Sequence, residues 1–177
     1  MQIFPKNWDV VLVGYWNTAI LTPKGIAVRL FQLDEGTPVR VDVPLDGLAP
    51  CRVHDENNKL VVMPSKNRLV IAPNEPSYIS LQASLKIGRR ALEELPETPL
   101  QAVGFNIRLQ TKNVKNMSEM TWLFNDEVDN RLSDEGFHIG ARSIGRSVKL
   151  NQGTVNSSIS LVDNKIELDI NFELSST

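Results

Sequence analysis

The sequence predicts an α+β fold: a mainly antiparallel, curved sheet of about seven or eight strands, or two related sheets, with three helices packed on one face. Several segments alternate between apolar and polar residues, as strands with one face open to water do. Three other segments repeat their apolar residues every three to four positions, as helices do. Strands and helices do not alternate regularly along the chain, which argues against a doubly wound parallel sheet.

The N-terminal segment predicts a buried strand followed by a helix. Both alternating sets of residues 8–16 are apolar, which is typical of a strand covered on both faces. Thr22 is a good N-cap residue, and Pro23 suits the first position of a helix. Apolar residues at helical spacing continue until Gly36, so we expect a helix over residues 23–34.

The next segments predict a meander of short antiparallel strands. Valines alternate with charged residues between positions 37 and 43, and residues 52–54 precede a turn-forming segment at 55–58. Residues 60–63 and 68–72 are two apolar runs, and the four residues between them suit a hairpin loop.

Two further helices are predicted on either side of a strand. The first covers residues 77–95, where Gly88 indicates either a bend or the close approach of another backbone. Residues 103–109 alternate as a strand with one open face. The last helical pattern occupies residues 118–132 and is stopped by Gly136.

The C-terminal part predicts three more strands. Residues 137–150 are strand-like, and Gly140 and Gly145 within them predict a bulge or a sharp bend. Residues 155–161 and 166–174 form the clearest hairpin of the chain. The outer face of this hairpin is acidic, which would guard an exposed sheet edge; its acids are Glu167, Asp169 and Glu173.

The length and composition indicate one globular domain over residues 1–177. The chain has 177 residues, 41% hydrophobic and 23% charged, which disfavours disorder and a disulfide scaffold. A chain of this size can bury one sizeable core without a metal or disulfide. If a subdomain boundary exists, it falls near residues 73–76 or 96–99, where prolines cluster.

The charge balance and the single cysteine limit the partners and the compartment. The net charge is -2, which disfavours a protein built to neutralise many phosphates, so we do not expect nucleic acid as a partner. Cys51 cannot form an internal disulfide. The N-terminus lacks the pattern of a signal peptide, and no stretch is long and apolar enough to cross a bilayer. We therefore expect a cytoplasmic protein that has no membrane partner.

The residues with catalytic potential do not form a recognisable motif. A triad would have to use His54 or His138 as its base. Ser143 lies between glycines, but the spacing is one residue too long for a nucleophile elbow, so a bent strand is the simpler explanation. Cys51 follows Pro50 in a loop and is interpreted as a small packed thiol.

Metal and cofactor sites are not indicated by any spacing of ligands. The only local group of histidine and carboxylates is His54, Asp55 and Glu56, and in an extended segment only His54 and Glu56 share a face. The asparagines that follow make a turn the simpler interpretation. The glycines match neither a phosphate-binding loop nor a dinucleotide fingerprint, so no cofactor is predicted.

Two cationic groups define the candidate binding residues. On the second helix these are Arg89 and Arg90, and on the glycine-containing strand they are Arg142 and Arg146. Such a group could bind an anion or an acidic partner. The simpler interpretation is a solvated surface balanced by the acidic hairpin.

These observations favour a non-enzymatic interaction or assembly subunit that self-associates, most simply as a homodimer, or that binds another protein. Two alternatives stay open at this point. One is an enzyme, such as a hydrolase, whose site is assembled only in three dimensions. The other is a weak binder of nucleic acid or an acidic partner through the arginines.

Overall fold

The computed structural model describes residues 3–45, 49–111, 127–162 and 165–175. Over these residues the chain forms one open antiparallel sheet of nine strands and three helices, which confirms the α+β prediction. One sheet is present where the sequence left two as an alternative. None of the helices in the described ranges is long and apolar enough to cross a membrane.

The elements follow one another in chain order as β1 Ile3–Gly14, α1 Pro23–Arg29, β2 Val41–Asp42, β3 Arg52–Asp55, β4 Leu60–Pro64, β5 Arg68–Pro73, α2 Tyr78–Glu94, β6 Leu100–Thr111, α3 Glu127–Asp134, β7 Ala141–Leu150, β8 Gly153–Val162 and β9 Lys165–Ser175. In space the strand order is β2-β3-β4-β5-β1-β6-β9-β8-β7. The first strand therefore lies in the middle of the sheet, and β2 and β7 form its edges.

The central strand β1 supplies the middle of the hydrophobic core. Trp8, Val10 and Leu12 are buried and share one face of the sheet, which we call the helix face because α2 packs there against β1 and β5. Val10 lies opposite Ile71 of β5 and Phe105 of β6. The opposite face of the sheet bears the intervening residues of each strand, because side chains alternate along a strand.

Helix α2 begins at a capping box and continues without a break. The Ser77 side chain accepts a hydrogen bond from the Ser80 backbone N–H, and the Ser80 hydroxyl accepts one from the Ser77 N–H. The helix buries Leu81 and Ala91 against the sheet. Gly88 does not interrupt it, and the atoms nearest to that glycine are side chains of β1 and β5 rather than another backbone.

Helix α1 is shorter than the sequence predicts. Thr22 caps it by accepting a hydrogen bond from Gly25 N–H, and Pro23 is its first residue, as expected. It ends at Arg29 rather than near position 34, because Phe31 N–H bonds back to Ile26 O and Gln32 adopts a positive φ of 56°. The five-residue step from Phe31 to Ile26 leaves the α-helical hydrogen-bond pattern.

The strand predicted over residues 37–43 is also shortened, to Val41–Asp42. It is an edge strand that pairs only with β3, so nothing in the described residues extends its hydrogen-bond ladder on the other side. Arg40 O accepts one further hydrogen bond, from His54 N–H.

The predicted bulge lies in a different strand. Residues 141–150 of β7 pair with β8 in an uninterrupted register through Gly145, and Gly140 precedes the strand. The register shift occurs in β1, where Pro5 lies opposite Leu109 and Trp8 opposite Ile107. Two residues of β1 thus face one residue of β6, which is the geometry of a β-bulge. The acidic strand β9 is not at an edge either, since β8 and β6 pair with it on both sides.

Helix α3 covers the end of the third helix predicted by the sequence, and residues 118–126 of that prediction lie outside the described residues. The helix contains no buried residue, and Val128 and Leu132 of its predicted apolar stripe are exposed. Asp129 forms an ion pair with Arg142 of β7. Since the β7 register places Arg142 on the helix face, α3 lies on the same side of the sheet as α2.

Replacing either of two glycines with alanine is expected to change the free energy of unfolding, in opposite directions. A Cβ at Gly88 would lie 3.5 Å from Ile71 Cδ1, an ordinary contact, so we expect Gly88→Ala to raise the free energy of unfolding by about 0.5–1 kcal/mol through its better helix propensity. A Cβ at Gly104 would lie 2.8 Å from Phe172 O, so Gly104→Ala is expected to lower it by more than about 1 kcal/mol. Urea denaturation of both variants tests this, and a destabilised Gly88→Ala would contradict the packing described for α2.

Candidate functional site

The two arginines predicted on the second helix are engaged within the fold. Arg89 Nε lies 2.7 Å from Glu93 Oε1, one turn further along α2. Arg90 Nη1 donates a hydrogen bond of 2.5 Å to Leu30 O just after α1, which links the two helices. These contacts stabilise the helical layer and leave Arg89 as the exposed cation of the pair.

The two arginines predicted on the C-terminal strand lie elsewhere. Arg142 is paired with Asp129 of α3. Arg146 is exposed, and its side chain has no ion pair or hydrogen bond with any described residue. Strand β7 is four strands away from β1, which corresponds to roughly 19 Å at normal strand spacing. The structure therefore does not bring the four predicted arginines, Arg89, Arg90, Arg142 and Arg146, into one patch.

The histidine and the carboxylates considered as a metal site have separate structural roles. His54 Nε2 lies 2.8 Å from Asp42 Oδ2 of the neighbouring strand. Asp55, the next residue of β3, is buried on the helix face. Its carboxylate accepts hydrogen bonds from the backbone N–H groups of Asn57 and Asn58, as the turn interpretation expects. The structure reveals no group of three metal-binding side chains in the residues that it describes.

The remaining candidates for nucleophilic chemistry are separated from any base. Ser143 is exposed on β7 opposite Ser160, and His138 is exposed before the strand begins. Cys51 is a half-buried free thiol packed against the core. Across residues 3–45, 49–111, 127–162 and 165–175 no hydroxyl or thiol contacts a histidine ring within hydrogen-bond distance.

A cavity on the opposite face of the sheet is lined by cationic side chains that the sequence patterns did not identify as a group. It has a volume of about 350 Å³ and is lined by Lys6, Arg52, His54 and Arg108, with Asp9 as its acidic member. We call it the cationic cavity. Its walls come from the five neighbouring strands β3, β4, β5, β1 and β6 and from the loop after β5, so the sheet curves around it. No local motif could have revealed it, because its cations come from three separate strands.

A row of polar side chains crosses the same face beside this cavity. Asn106 Nδ2 donates to Asp9 Oδ1 over 2.6 Å, and Asn171 Nδ2 donates to Asn106 Oδ1 over 2.8 Å. Asn156 Nδ2 continues the row to Asn171 Oδ1 over 3.4 Å. These contacts join β1, β6, β9 and β8 and hold the Asp9 carboxylate in place.

The acids of the C-terminal hairpin neutralise cations of β1 and β6. Lys6 Nζ lies 2.6 Å from Glu167 Oε1, and Arg108 Nε lies 3.2 Å from Asp169 Oδ1. The predicted acidic face is present, but the two ion pairs that the structure gives it involve neither the arginines of α2 nor those of β7. Sequence reasoning missed these partners because the paired residues are far apart along the chain.

The electrostatics near the cavity centre on Asp42. Hydrogen bonds from the Arg40 guanidinium, over 3.1 and 3.2 Å, and then the contact with His54 lower the pKa of the Asp42 carboxyl below its ordinary value of 3.8. A carboxylate whose pKa is lowered in the folded state stabilises that state above its ordinary pKa. This contribution is lost as the pH falls through the lowered folded-state value.

We therefore predict a pH-dependent effect of Asp42→Asn. The variant is expected to melt at a lower temperature than the wild type at neutral pH, and the difference should persist down to about pH 4 and vanish below it. Thermal melts followed by circular dichroism over this range measure it. Asp34→Asn serves as the control, because the Asp34 carboxylate has no ion pair with any residue in the described ranges. A difference that is independent of pH would contradict the role assigned to the Asp42 charge.

Comparison with known proteins does not extend this description: no family model matches the chain, and no curated protein shows significant similarity to it.

Proposed function

We propose that this chain is a non-enzymatic assembly subunit that binds a second copy of itself through the helix face of its four C-terminal strands. The observation that carries this proposal is an apolar surface on β6, β9, β8 and β7, which only Ser157 and Arg146 interrupt. Its side chains, which we call the C-terminal patch, are Val103, Phe105, Ile107, Leu109, Ile144, Val148, Leu150, Val155, Ile159, Leu168, Ile170, Phe172 and Leu174.

The patch lies beside the helical layer rather than beneath it. Helix α2 packs on β1 and β5 and α1 on β3, whereas no described helix makes more than marginal contact with β6, β9, β8 or β7. Phe105 and Phe172 stack across the β6–β9 pair with ring centroids 4.5 Å apart. Val148 and Leu150 are each 53% exposed. The patch residues of β6 pack against the core, and those of β8 and β9 are mostly half-buried, so the part of the patch most open to a second layer lies towards β7.

The size of the patch suits a specific interface. Four strands of about ten residues, at about 3.3 Å per residue and 4.8 Å between strands, present roughly 600 Å². This whole face, with its polar residues included, is as large as the largest apolar patches on typical monomers, roughly 300–600 Å². It approaches the ~800 Å² that each partner buries in a standard interface. A second copy of the sheet, packed face to face at about 10 Å, would cover it.

The flank of α2 next to the patch supports this arrangement. Tyr78 is 77% exposed, and its ring meets Trp8 edge-on with centroids 5.5 Å apart. Leu85, seven residues later, lies on the same side of the helix and is also exposed. A partner sheet resting on the C-terminal patch would contact this flank as well.

The charges favour pairing of faces over pairing of edges. Strand β7 is an edge strand and has no acidic residue, whereas Arg146 and Lys149 are both exposed on it. Two copies of β7 placed edge to edge would bring these cations together, which is unfavourable. In face-to-face packing Arg146 lies at the rim, where interfaces are polar, and the apolar residues of β8 and β9 lie at the centre.

The proposal predicts a dimer in solution that one edge substitution disrupts. Light scattering coupled to gel filtration should give twice the chain mass of 19.8 kDa at micromolar concentration. Val148→Lys is expected to weaken the dimer roughly tenfold, because it replaces an apolar contact of the interface with a second cation beside Arg146 on the same face. A lysine at this exposed edge position is compatible with the folded sheet.

Ser147→Lys is the matched control, since it adds the same charge at the neighbouring position on the other face of β7. We expect it to leave the dimer intact. A monomeric wild type, or equal weakening by both variants, would rule out the helix face as the interface.

A further inference from the structure

The cationic cavity lies on the face of the sheet opposite to the C-terminal patch, and the proposed function makes no use of it. The bulge in β1 contributes to its construction. Lys6 and Asn7 together lie opposite the single residue Arg108, so the bulge brings Lys6 and Arg108 into the same wall. The Trp8 indole N–H donates to Arg108 O over 3.2 Å and fixes the backbone at this point.

The acids that pair with the cavity cations lie outside the cavity. Glu167 and Asp169 belong to β9 and hold Lys6 and Arg108 from the side away from β3. Asp42 holds His54 in the same way from the sheet edge. None of these three acids lines the cavity. They therefore position the cations without filling the space between them.

Arg52 is the cation that has no partner of its own. It is exposed on β3, lines the cavity, and makes no ion pair or side-chain hydrogen bond with any described residue. The acid in the lining, Asp9, already accepts a hydrogen bond from Asn106. The charges of Lys6 and Arg108 are balanced by Glu167 and Asp169 outside the cavity, so Arg52 is the lining cation whose charge no described ion pair compensates. An arginine presents a planar group of donors that matches an oxyanion.

The cavity is small, and the rest of its lining is mostly apolar, with Asn7 and Asn74 as its neutral polar members. Val61, Met63 and Ala72 line it between the cations of β3 and those of β1 and β6. A volume of about 350 Å³ is near the lower limit of small-molecule pockets. It can enclose one anionic group and a short apolar body, whereas a nucleic acid backbone needs an extended basic surface.

We propose that the cationic cavity binds a small organic oxyanion, a phosphate monoester or a carboxylate attached to an apolar body, with Arg52 as its principal ligand. Lys6 and Arg108, which Glu167 and Asp169 hold in place, offer further N–H donors from the opposite wall. The apolar lining contacts the body of the ligand, so an anion with such a body binds more tightly than a bare one.

Titration calorimetry on the full chain at low ionic strength tests this with four probes: phenyl phosphate, phenylacetate, inorganic phosphate and benzyl alcohol. We expect one or both aromatic anions to bind at millimolar concentration or below, inorganic phosphate to bind more weakly, and benzyl alcohol not to bind. The comparison of phenyl phosphate with phenylacetate decides which oxyanion the cavity prefers.

Arg52→Gln is expected to weaken binding of the preferred anion roughly tenfold, since it removes a charge-assisted contact. The control is Arg68→Gln. Arg68 is also an exposed arginine of the opposite face, and its side chain has no partner among the described residues. It does not line the cavity, so its substitution should change binding less than about twofold. Circular dichroism verifies that both variants are folded.

Absence of binding by both aromatic anions would overturn the proposal. Equal weakening by Arg52→Gln and Arg68→Gln would also overturn it, because attraction would then come from the general surface charge. A short acidic peptide that binds more tightly than either aromatic anion would assign the cavity to a protein partner instead of a small molecule.

Discussion

Pairing of β1 on both sides is the interaction on which the rest of the molecule depends. Residues 10–13 of β1 pair with β5, and nearly the whole length of β1 pairs with β6. The first pairing joins β1 to the N-terminal meander, and the second joins it to the C-terminal strands. Its buried face also carries α2 through Val10 and Leu12. The structure buries only the helix face of β1: Val11 and Val13 on the opposite face are half-buried and Tyr15 beyond them is exposed, so the predicted covering of both faces is wrong.

The helix face and the opposite face of the sheet carry different kinds of side chain, and each face bears one of the two proposed sites. On the helix face, apolar residues continue from β1 through β6 to β7, although α2 covers only β1 and β5. On the opposite face, Asn106 and Asn171 join strands through amide contacts, and acids of β9 pair with cations. A dimer interface is therefore proposed on the first face, and an anion site on the second.

The bulge in β1 shows how one local irregularity affects a distant site. If the register of Trp8 with Ile107 continued without the bulge, Asn7 would lie opposite Arg108, and Lys6 would point to the helix face instead of the cationic cavity. Gly140 and Gly145 predict a bulge in the strand that became β7, and this prediction is wrong. Glycine permits a bulge but does not require one. The observed bulge follows Pro5, whose nitrogen cannot donate a ladder hydrogen bond.

Local patterns of the chain were sufficient to predict the fold class, the starts of α1 and α2, and the faces of the long strands, because periods of two and 3.6 residues and N-caps such as Thr22 are local properties. The strand order, the early end of α1 and the partners of the charges became known from tertiary packing alone. Glu167 pairs with Lys6 across 161 positions, and Arg142 is held by Asp129 instead of joining Arg89 and Arg90. Such contacts depend on which strands lie side by side and in which register, and this is set by packing of the whole core around β1 rather than by any local pattern.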